Sequence, residues 1–101
     1  GELFGNRLLK PQTIELMASN KVGDLFNAMP GVSEQGFGYT VATTEESNER
    51  RSKGAFGWGG ALGTRSWSDP AEELTGVIMI QQPVPAVQRD FEDAVHQALI
   101  D

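Results

Sequence analysis

The chain lacks cysteine altogether and has a single histidine among its 101 residues. Disulfides and thiolate metal sites are therefore excluded, and His96 alone does not make the ligand cluster of a metal centre. Long apolar runs are also missing: the longest, Val77 to Ile80, is far shorter than the roughly 20 residues of a membrane helix. No basic region followed by an apolar stretch marks a signal peptide. The sequence leaves the cellular compartment undetermined.

Basic residues are scarce as well. Eight Lys and Arg stand against 14 Asp and Glu, which gives a net charge of −6. This balance argues against a nucleic-acid partner, because binding to a phosphate backbone needs clustered Lys and Arg. The one basic cluster contains Arg50, Arg51 and Lys53 and follows a run rich in glutamate. Mixed charge of this kind predicts a solvated loop.

The first half of the chain predicts one helix and one strand. Apolar residues make up 39% and charged residues 22%, as in an ordinary globular domain or part of one. Pro11 to Ser19 predicts a short amphipathic helix with proline in its first turn. Residues 20 to 35 predict a loop. Gly36 to Thr43 alternates in polarity, which predicts a strand with Phe37, Tyr39 and Val41 on one face.

The second half predicts three consecutive antiparallel strands and a helix. The strands are Ala55 to Leu62, Gly63 to Ser68 and Leu74 to Gln81, with an Asp69-Pro70 turn before the last. The apolar centre of the last strand favours burial on both faces, as in a central strand.

Val87 to Ile100 predicts a helix with an apolar stripe, with Arg89, Asp90, Glu92, Asp93 and Gln97 mostly on its other side. The expected fold class is α+β: an antiparallel sheet of three to four strands with the C-terminal helix packed on it.

Several kinds of chemistry can be set aside from the sequence. His96 follows Glu92 and Asp93 on the last helix, which is typical of a surface histidine in a weak local pair. Nothing links it to a serine in a catalytic triad. Gly57-x-Gly59 opens a dinucleotide-like pattern, but Leu62 stands where the third glycine is needed and strand follows instead of helix. We therefore expect no cofactor and no metal.

Five phrases, in order along nearly the whole chain, resemble the C-terminal part of the class C β-lactamase and penicillin-binding-protein superfamily of serine hydrolases. Gly1 to Met17 is similar to the family's helix pattern G-x-R-L-L-S-P-x-T-V-x-x-M, and Gly36 to Val41 is similar to its G-x-G-F-x-V strand. Phe56 to Thr64 resembles the strand of the third active-site motif. Asp69-Pro70 and Gly76 to Gln81 resemble the last two strands.

The resemblance implies a role for one segment. In the family, a Lys, His or Trp followed by x-Gly borders the substrate cleft, and here this motif reads Trp58-Gly59-Gly60. Tryptophan at the first position resembles the esterase-like members and removes the cation that would bind a substrate carboxylate. The resemblance implies that Trp58, Gly59 and Gly60 contact substrate and that the backbone N–H of Ala61 is one of two oxyanion-hole donors.

The remaining family motifs are missing from these 101 residues. No Ser-x-x-Lys supplies a nucleophile, and Tyr39 is not followed by the asparagine of a Tyr-x-Asn motif. The sequence therefore predicts, over residues 1–101, a C-terminal fragment of a β-lactamase-like domain that is inactive alone. The parent would hydrolyse a small ester, amide or lactam. One alternative is a free-standing binding or assembly module that lost the chemistry, and another is an inactive regulatory protein on the complete fold.

Two aromatic side chains and one strand carry further expectations. Motif position places Trp58 in the cleft, whereas Trp67 is expected to be a core residue. In the resembled fold, the strand from Leu74 to Gln81 lies beside a strand of the missing N-terminal part. Without that neighbour, an apolar edge invites pairing, so we expect self-association through residues 74–81 or swapped strands.

Overall fold

The computed structural model describes residues 1–25, 35–38, 41–44, 46–47 and 50–100. The fold is α+β, with two antiparallel sheets and a C-terminal helix. The elements are β1 (Glu2–Leu3), β2 (Asn6–Arg7), α1 (Pro11–Ala18), β3 (Gln35–Phe37), β4 (Ala42–Thr44), β5 (Phe56–Gly59), β6 (Arg65–Asp69), β7 (Leu74–Ile78) and α2 (Pro85–Ile100).

A small hairpin and a short helix begin the chain. β1 pairs with β2, and the turn between them uses Phe4 at φ 50° and Gly5 at φ 78°. Two consecutive positive φ values are typical of the type I′ turn that suits a two-residue hairpin. Phe4 is 93% exposed at its tip. α1 follows, with Pro11 in its first turn, which confirms the predicted helix.

The main sheet runs in the order β3-β4-β5-β6-β7, so it has five strands where three to four were expected. The difference arises between residues 36 and 43, where the prediction of a single strand is wrong. Two short strands pair there, Phe37 opposite Ala42, and the Gly38 N–H donates to the Val41 carbonyl. A Cβ at residue 38 would overlap the Met17 carbonyl oxygen, so glycine permits the chain to turn against α1. Tyr39 and most of the expected 20–35 loop lie outside the described residues.

The three consecutive antiparallel strands predicted for the second half are confirmed. β5 pairs with β6 and β6 with β7, and the turn after Asp69 is also present. The buried Asp69 carboxylate accepts one hydrogen bond from the Ala71 N–H at 3.2 Å and one from the Ser52 N–H at 2.7 Å. The first bond forms an Asx turn, and the second attaches the segment before β5 to the end of β6.

β7 is the last strand of the sheet, so the prediction of a central strand buried on both faces is wrong for this chain. Val77 is 53% exposed, and the strand ends at Ile78, before the exposed Met79. The apolar run is therefore covered on one face only. That face is the one packed against α2.

Helix α2 covers this face through Trp67, the largest buried hydrophobic side chain in the described part of the chain. The rings of Trp67 and Phe91 pack edge to face, with their centroids 5.8 Å apart. This contact confirms Trp67 as a core residue. Gln88 and Glu92 are also buried. Glu92 was expected on the solvated side of the helix, and that prediction is wrong because two arginines neutralise the carboxylate against the sheet.

Within the described ranges, no helix is long and apolar enough to cross a membrane.

Candidate functional site

The hairpin formed by β5 and β6 carries the predicted site. Its strands are held in register by pairs from Phe56 opposite Ser68 to Gly59 opposite Arg65. Two backbone hydrogen bonds close the tip: the Gly60 N–H donates to the Thr64 carbonyl at 2.8 Å, and the Gly63 N–H donates to the Gly60 carbonyl at 3.1 Å. The tip is therefore an ordered turn that continues directly from the Trp-Gly-Gly segment.

Trp58 lies on the sheet face opposite α2. Side chains alternate along a strand and residues directly paired share a face, so Trp58, Ser66 and Val77 form one row across β5, β6 and β7. Trp67 is one residue away from this row and points to the helix. Trp58 is 59% exposed, compared with 2% for Trp67. The indole of Trp58 is thus exposed on the open face, as a substrate-contacting side chain requires.

The described fold requires glycine at position 60 but not at position 59. At Gly60, a Cβ would overlap the Thr64 hydroxyl, so packing within the hairpin already accounts for glycine. At Gly59, the only described atom near a Cβ would be the Thr64 carbonyl oxygen at 3.7 Å, an ordinary contact. Its φ is not in the left-handed region either. The described fold itself therefore does not require glycine at 59, and such a strand glycine is typical of a site where another molecule approaches the backbone.

Ala61 occupies the exposed tip of the hairpin. Its backbone N–H donates no hydrogen bond to any atom of the described residues. The tip is also attached to α2, since the buried Gln88 side chain donates a hydrogen bond to the Gly63 carbonyl at 2.8 Å. The tip therefore presents the Ala61 N–H as a donor on a backbone anchored to the C-terminal helix.

A second cluster, on the helix side of the sheet, was not anticipated from the sequence. The Glu92 carboxylate binds the Arg51 guanidinium at 2.8 Å and the Arg65 guanidinium at 3.0 Å. The side chains of Arg51 and Glu92 are only 11% and 7% exposed. Arg51 also lies 5.2 Å from the centre of the Trp67 ring, within the range of a cation–π contact.

The basic segment is therefore not the solvated loop that its composition predicted. Besides the Arg51 contacts, Arg50 binds Asp93 at 2.6 Å, so two successive arginines pair with two successive acidic residues of α2. The only signal in the sequence was this matching of adjacent charges 41 to 43 residues apart. The pairs hold the chain entering β5 against the helix, and thereby support the strand that carries Trp58.

The other chemical candidates stay separate. The His96 side chain on α2 forms no hydrogen bond or ion pair with any residue that the structure describes, so the expected local pair with Glu92 or Asp93 is not found. In the described part of the chain, no three His, Cys, Asp or Glu side chains lie close enough together to hold a metal ion. Tyr39 lies outside the described residues.

The arrangement offers three features in one continuous segment: an indole exposed on the open face, a strand position without a side chain on the opposite, helix-side face, and an amide donor at an ordered tip. Together they can contact a substrate and stabilise a developing negative charge on a carbonyl oxygen. They supply no nucleophile. A comparison of the sequence with protein-family models gave no match, and a comparison with curated proteins gave none either.

Proposed function

We propose that residues 1–101 are a C-terminal segment of a β-lactamase-like serine hydrolase. The segment contributes the strand of the third active-site motif and one donor of the oxyanion hole, and it is inactive alone. The parent enzyme hydrolyses a small ester, amide or lactam through an acyl-enzyme. The missing N-terminal part of the same domain supplies the nucleophile, so it is the partner on which activity depends.

One observation carries this proposal. The four residues that the family resemblance assigns to the site, Trp58 to Ala61, follow one another from the open face of β5 into the hairpin tip. Three of the four have the property that their role needs: Trp58 is exposed, Gly59 leaves room beside the strand, and the Ala61 N–H lacks an acceptor among the described residues. A structural hairpin needs none of these three properties.

The chemistry assigned to the segment is electrostatic. When the parent's serine attacks a carbonyl, negative charge develops on the carbonyl oxygen, and two backbone N–H groups stabilise it. The Ala61 N–H is one of these donors, and the N–H of the nucleophile is the other. Gln88 and the turn bonds fix the tip in advance, so little reorganisation is needed when the charge develops.

The substrate side of the segment is uncharged. Trp58 stands where many family members have lysine, and an indole face favours an apolar acyl or alcohol group over a carboxylate. Arg65, which pairs in register with Gly59, directs its guanidinium to Glu92 on the helix side. The proposed specificity is therefore for neutral acyl substrates over carboxylates.

The first experiment reads the coding sequence upstream of the Gly1 codon. The proposal expects a continuous reading frame that holds a Ser-x-x-Lys motif followed by a Tyr-x-Asn-like motif. A frame without these motifs would overturn it. A start codon directly before Gly1 would favour the free-standing binding module instead.

A second experiment tests the site in the whole encoded protein, with a chromogenic short-chain ester as substrate. Gly59→Ala should lower kcat/KM by about tenfold or more, since a methyl group on the helix-side face of β5 holds the substrate away from the strand backbone. The melting temperature should not change, because the space beside Gly59 is open. Glu72→Ala is the matched control, an exposed turn residue at the opposite end of β6. Equal activity of both variants would contradict the assigned role.

A further inference from the structure

We propose that the free edge of β7 pairs antiparallel with β7 of a second copy of this chain, so that the two main sheets become one continuous sheet. This inference concerns the edge of the sheet and is independent of the proposed hydrolase chemistry. Its failure would leave the assignment of Trp58 to Ala61 untouched.

The backbone of β7 is the first support. β6 pairs with β7 along one side, from Asp69 opposite Leu74 to Arg65 opposite Ile78. No strand in the described part of the chain pairs with the other side. That side presents a row of N–H and C=O groups, and natural edge strands are usually protected from such pairing by lysine, proline or a bulge. Leu74–Ile78 contains none of these protections.

The geometry of the strand sets the register. Glu73 has a φ of 52°, which breaks the extended backbone and limits pairing to residues 74–78. An antiparallel twofold pair centred on Gly76 places Leu74 opposite Ile78 of the other copy and Thr75 opposite Val77. The five residues then pair completely, and both copies use the same surface, as a closed dimer requires.

Charge favours this arrangement and this partner. β7 itself carries no charge, and its acidic neighbours, Glu72 and Glu73, lie at one end only. Antiparallel pairing puts the two acidic ends at opposite sides of the dimer, whereas parallel pairing would bring them together at a repulsive distance. When two copies pair, both of the β7 strands that come together are uncharged. A basic peptide would find no opposing charge along the edge.

The exposed side chains add a modest apolar contact. Val77 and Thr75 are exposed on the open face of β7, and each would cover the other across the twofold axis. The interface consists of five backbone residues and few side chains, so we expect a concentration-dependent dimer and not an obligate one.

Sedimentation equilibrium of the 101-residue chain over a wide concentration range tests the proposal. We expect a monomer–dimer equilibrium that Val77→Lys weakens by about twofold to thirtyfold, because two cross-strand contacts are lost. Leu62→Lys is the control, since it adds the same charge at an exposed residue of the β5–β6 tip and should leave the equilibrium unchanged. A strictly monomeric chain, or equal weakening by both variants, overturns the proposal.

The register is tested by mixing two variants, Thr75→Glu and Val77→Lys. Each should dimerise poorly alone, because each departs from the uncharged edge. The mixture should form a heterodimer, because the carboxylate introduced at position 75 of one copy lies opposite the ammonium group introduced at position 77 of the other. Circular dichroism checks that both variants keep the fold. The absence of heterodimer rescue from folded variants would rule out the antiparallel register centred on Gly76.

Discussion

At the residue scale, much of the fold depends on where a side chain is absent. Trp67 in β6 lies between Gly57 of β5 and Gly76 of β7, which are its direct partners in register. A Cβ at Gly76 would overlap the Trp67 ring, and a Cβ at Gly57 would overlap the Ser66 carbonyl oxygen. Glycine at 76 therefore makes room for the Trp67 ring, and glycine at 57 lets the backbone of β5 lie close to that of β6.

Gly76→Ala should destabilise the chain by about 1–3 kcal/mol, because the methyl group must displace a well-packed ring. Gly59→Ala is the matched control and should change the free energy of unfolding by less than about 0.5 kcal/mol, since its surroundings are open. Urea denaturation followed by circular dichroism measures both. Equal stabilities would mean that the Trp67 ring moves freely, contrary to its close packing.

Phe4 has a backbone conformation that is unfavourable for its side chain. A φ of 50° at a fully exposed phenylalanine is unfavourable, whereas asparagine adopts this conformation readily. Phe4→Asn should therefore stabilise the N-terminal hairpin by about 1 kcal/mol. Leu25→Asn is the control, since it removes a similarly exposed apolar side chain without a positive φ. Amide hydrogen exchange at Leu8 and Leu9, whose N–H groups bind the Gly1 carbonyl, reports the gain. Unchanged exchange would contradict it.

At the element scale, α2 is attached to the sheet by charge as much as by apolar packing. Glu92 is the centre of this attachment, because it binds one arginine from the segment before β5 and one from β6. Phe91 contributes the aromatic contact with Trp67. The helix therefore connects the two strands of the proposed site hairpin through a single carboxylate.

Glu92→Gln should cost about 2–4 kcal/mol, because it removes the negative charge that the buried Arg51 guanidinium and Arg65 both bind. Asp93→Asn is the neighbouring control and should cost about 0.5 kcal/mol or less, because its pair with Arg50 is much more exposed. Thermal unfolding of both variants gives the comparison. A loss at Asp93 as large as that at Glu92 would mean that burial does not determine the strength of these pairs.

The sequence predicted the elements that depend on local pattern. α1, α2 and the strands around Asp69 each follow from periodicity, proline placement or turn chemistry, and all are present. It failed where a distant contact overrides the local pattern. Gly38 interrupts an alternating strand because the backbone there meets Met17 of α1. Glu92 is buried because arginines far away in the chain reach it.

For the candidate site, the sequence identified the segment but not the contacts that hold it in place. The motif phrase located Trp58 to Ala61, and composition gave no sign that Gln88 fixes the tip from α2. The sequence alone predicts that a glutamine on a helix faces solvent. Gln88 is buried because the Gly63 carbonyl, which is distant in sequence, lies close to it in the fold. Contacts of this kind between distant segments are invisible to periodicity.

At the scale of the whole molecule, little apolar surface is fully buried. Ala55 and Trp67 are the only buried hydrophobic residues within the described ranges, whereas many large apolar side chains are exposed. The described residues thus bury few apolar side chains completely, and domains of about this size have a modest margin of stability. Any surface that covers the open face of the sheet or the edge of β7 therefore has a large effect on the fold.

Net charge should control the proposed dimer. Each copy carries a net charge of −6, so two copies repel each other over distances at which salt screens effectively. The dimer dissociation constant should therefore fall as ionic strength rises from about 0.01 M to about 0.15 M. Sedimentation equilibrium at several salt concentrations checks this, and Val77→Lys should stay the weaker dimer at each. A dimer that dissociates with added salt would instead be held by ion pairs.

The positions of the two tryptophans give the chain two built-in optical reporters on opposite faces of one sheet. Trp58 is exposed on the open face, and Trp67 is enclosed by Phe91 and Arg51 on the helix face. Exposed indoles emit at longer wavelengths and are readily quenched by iodide, whereas enclosed ones are shielded. Binding of a ligand against Trp58 would change mainly the quenchable emission, and detachment of α2 would change mainly the shielded emission. Ligand binding and loss of the helix can thus be followed separately in the unlabelled chain.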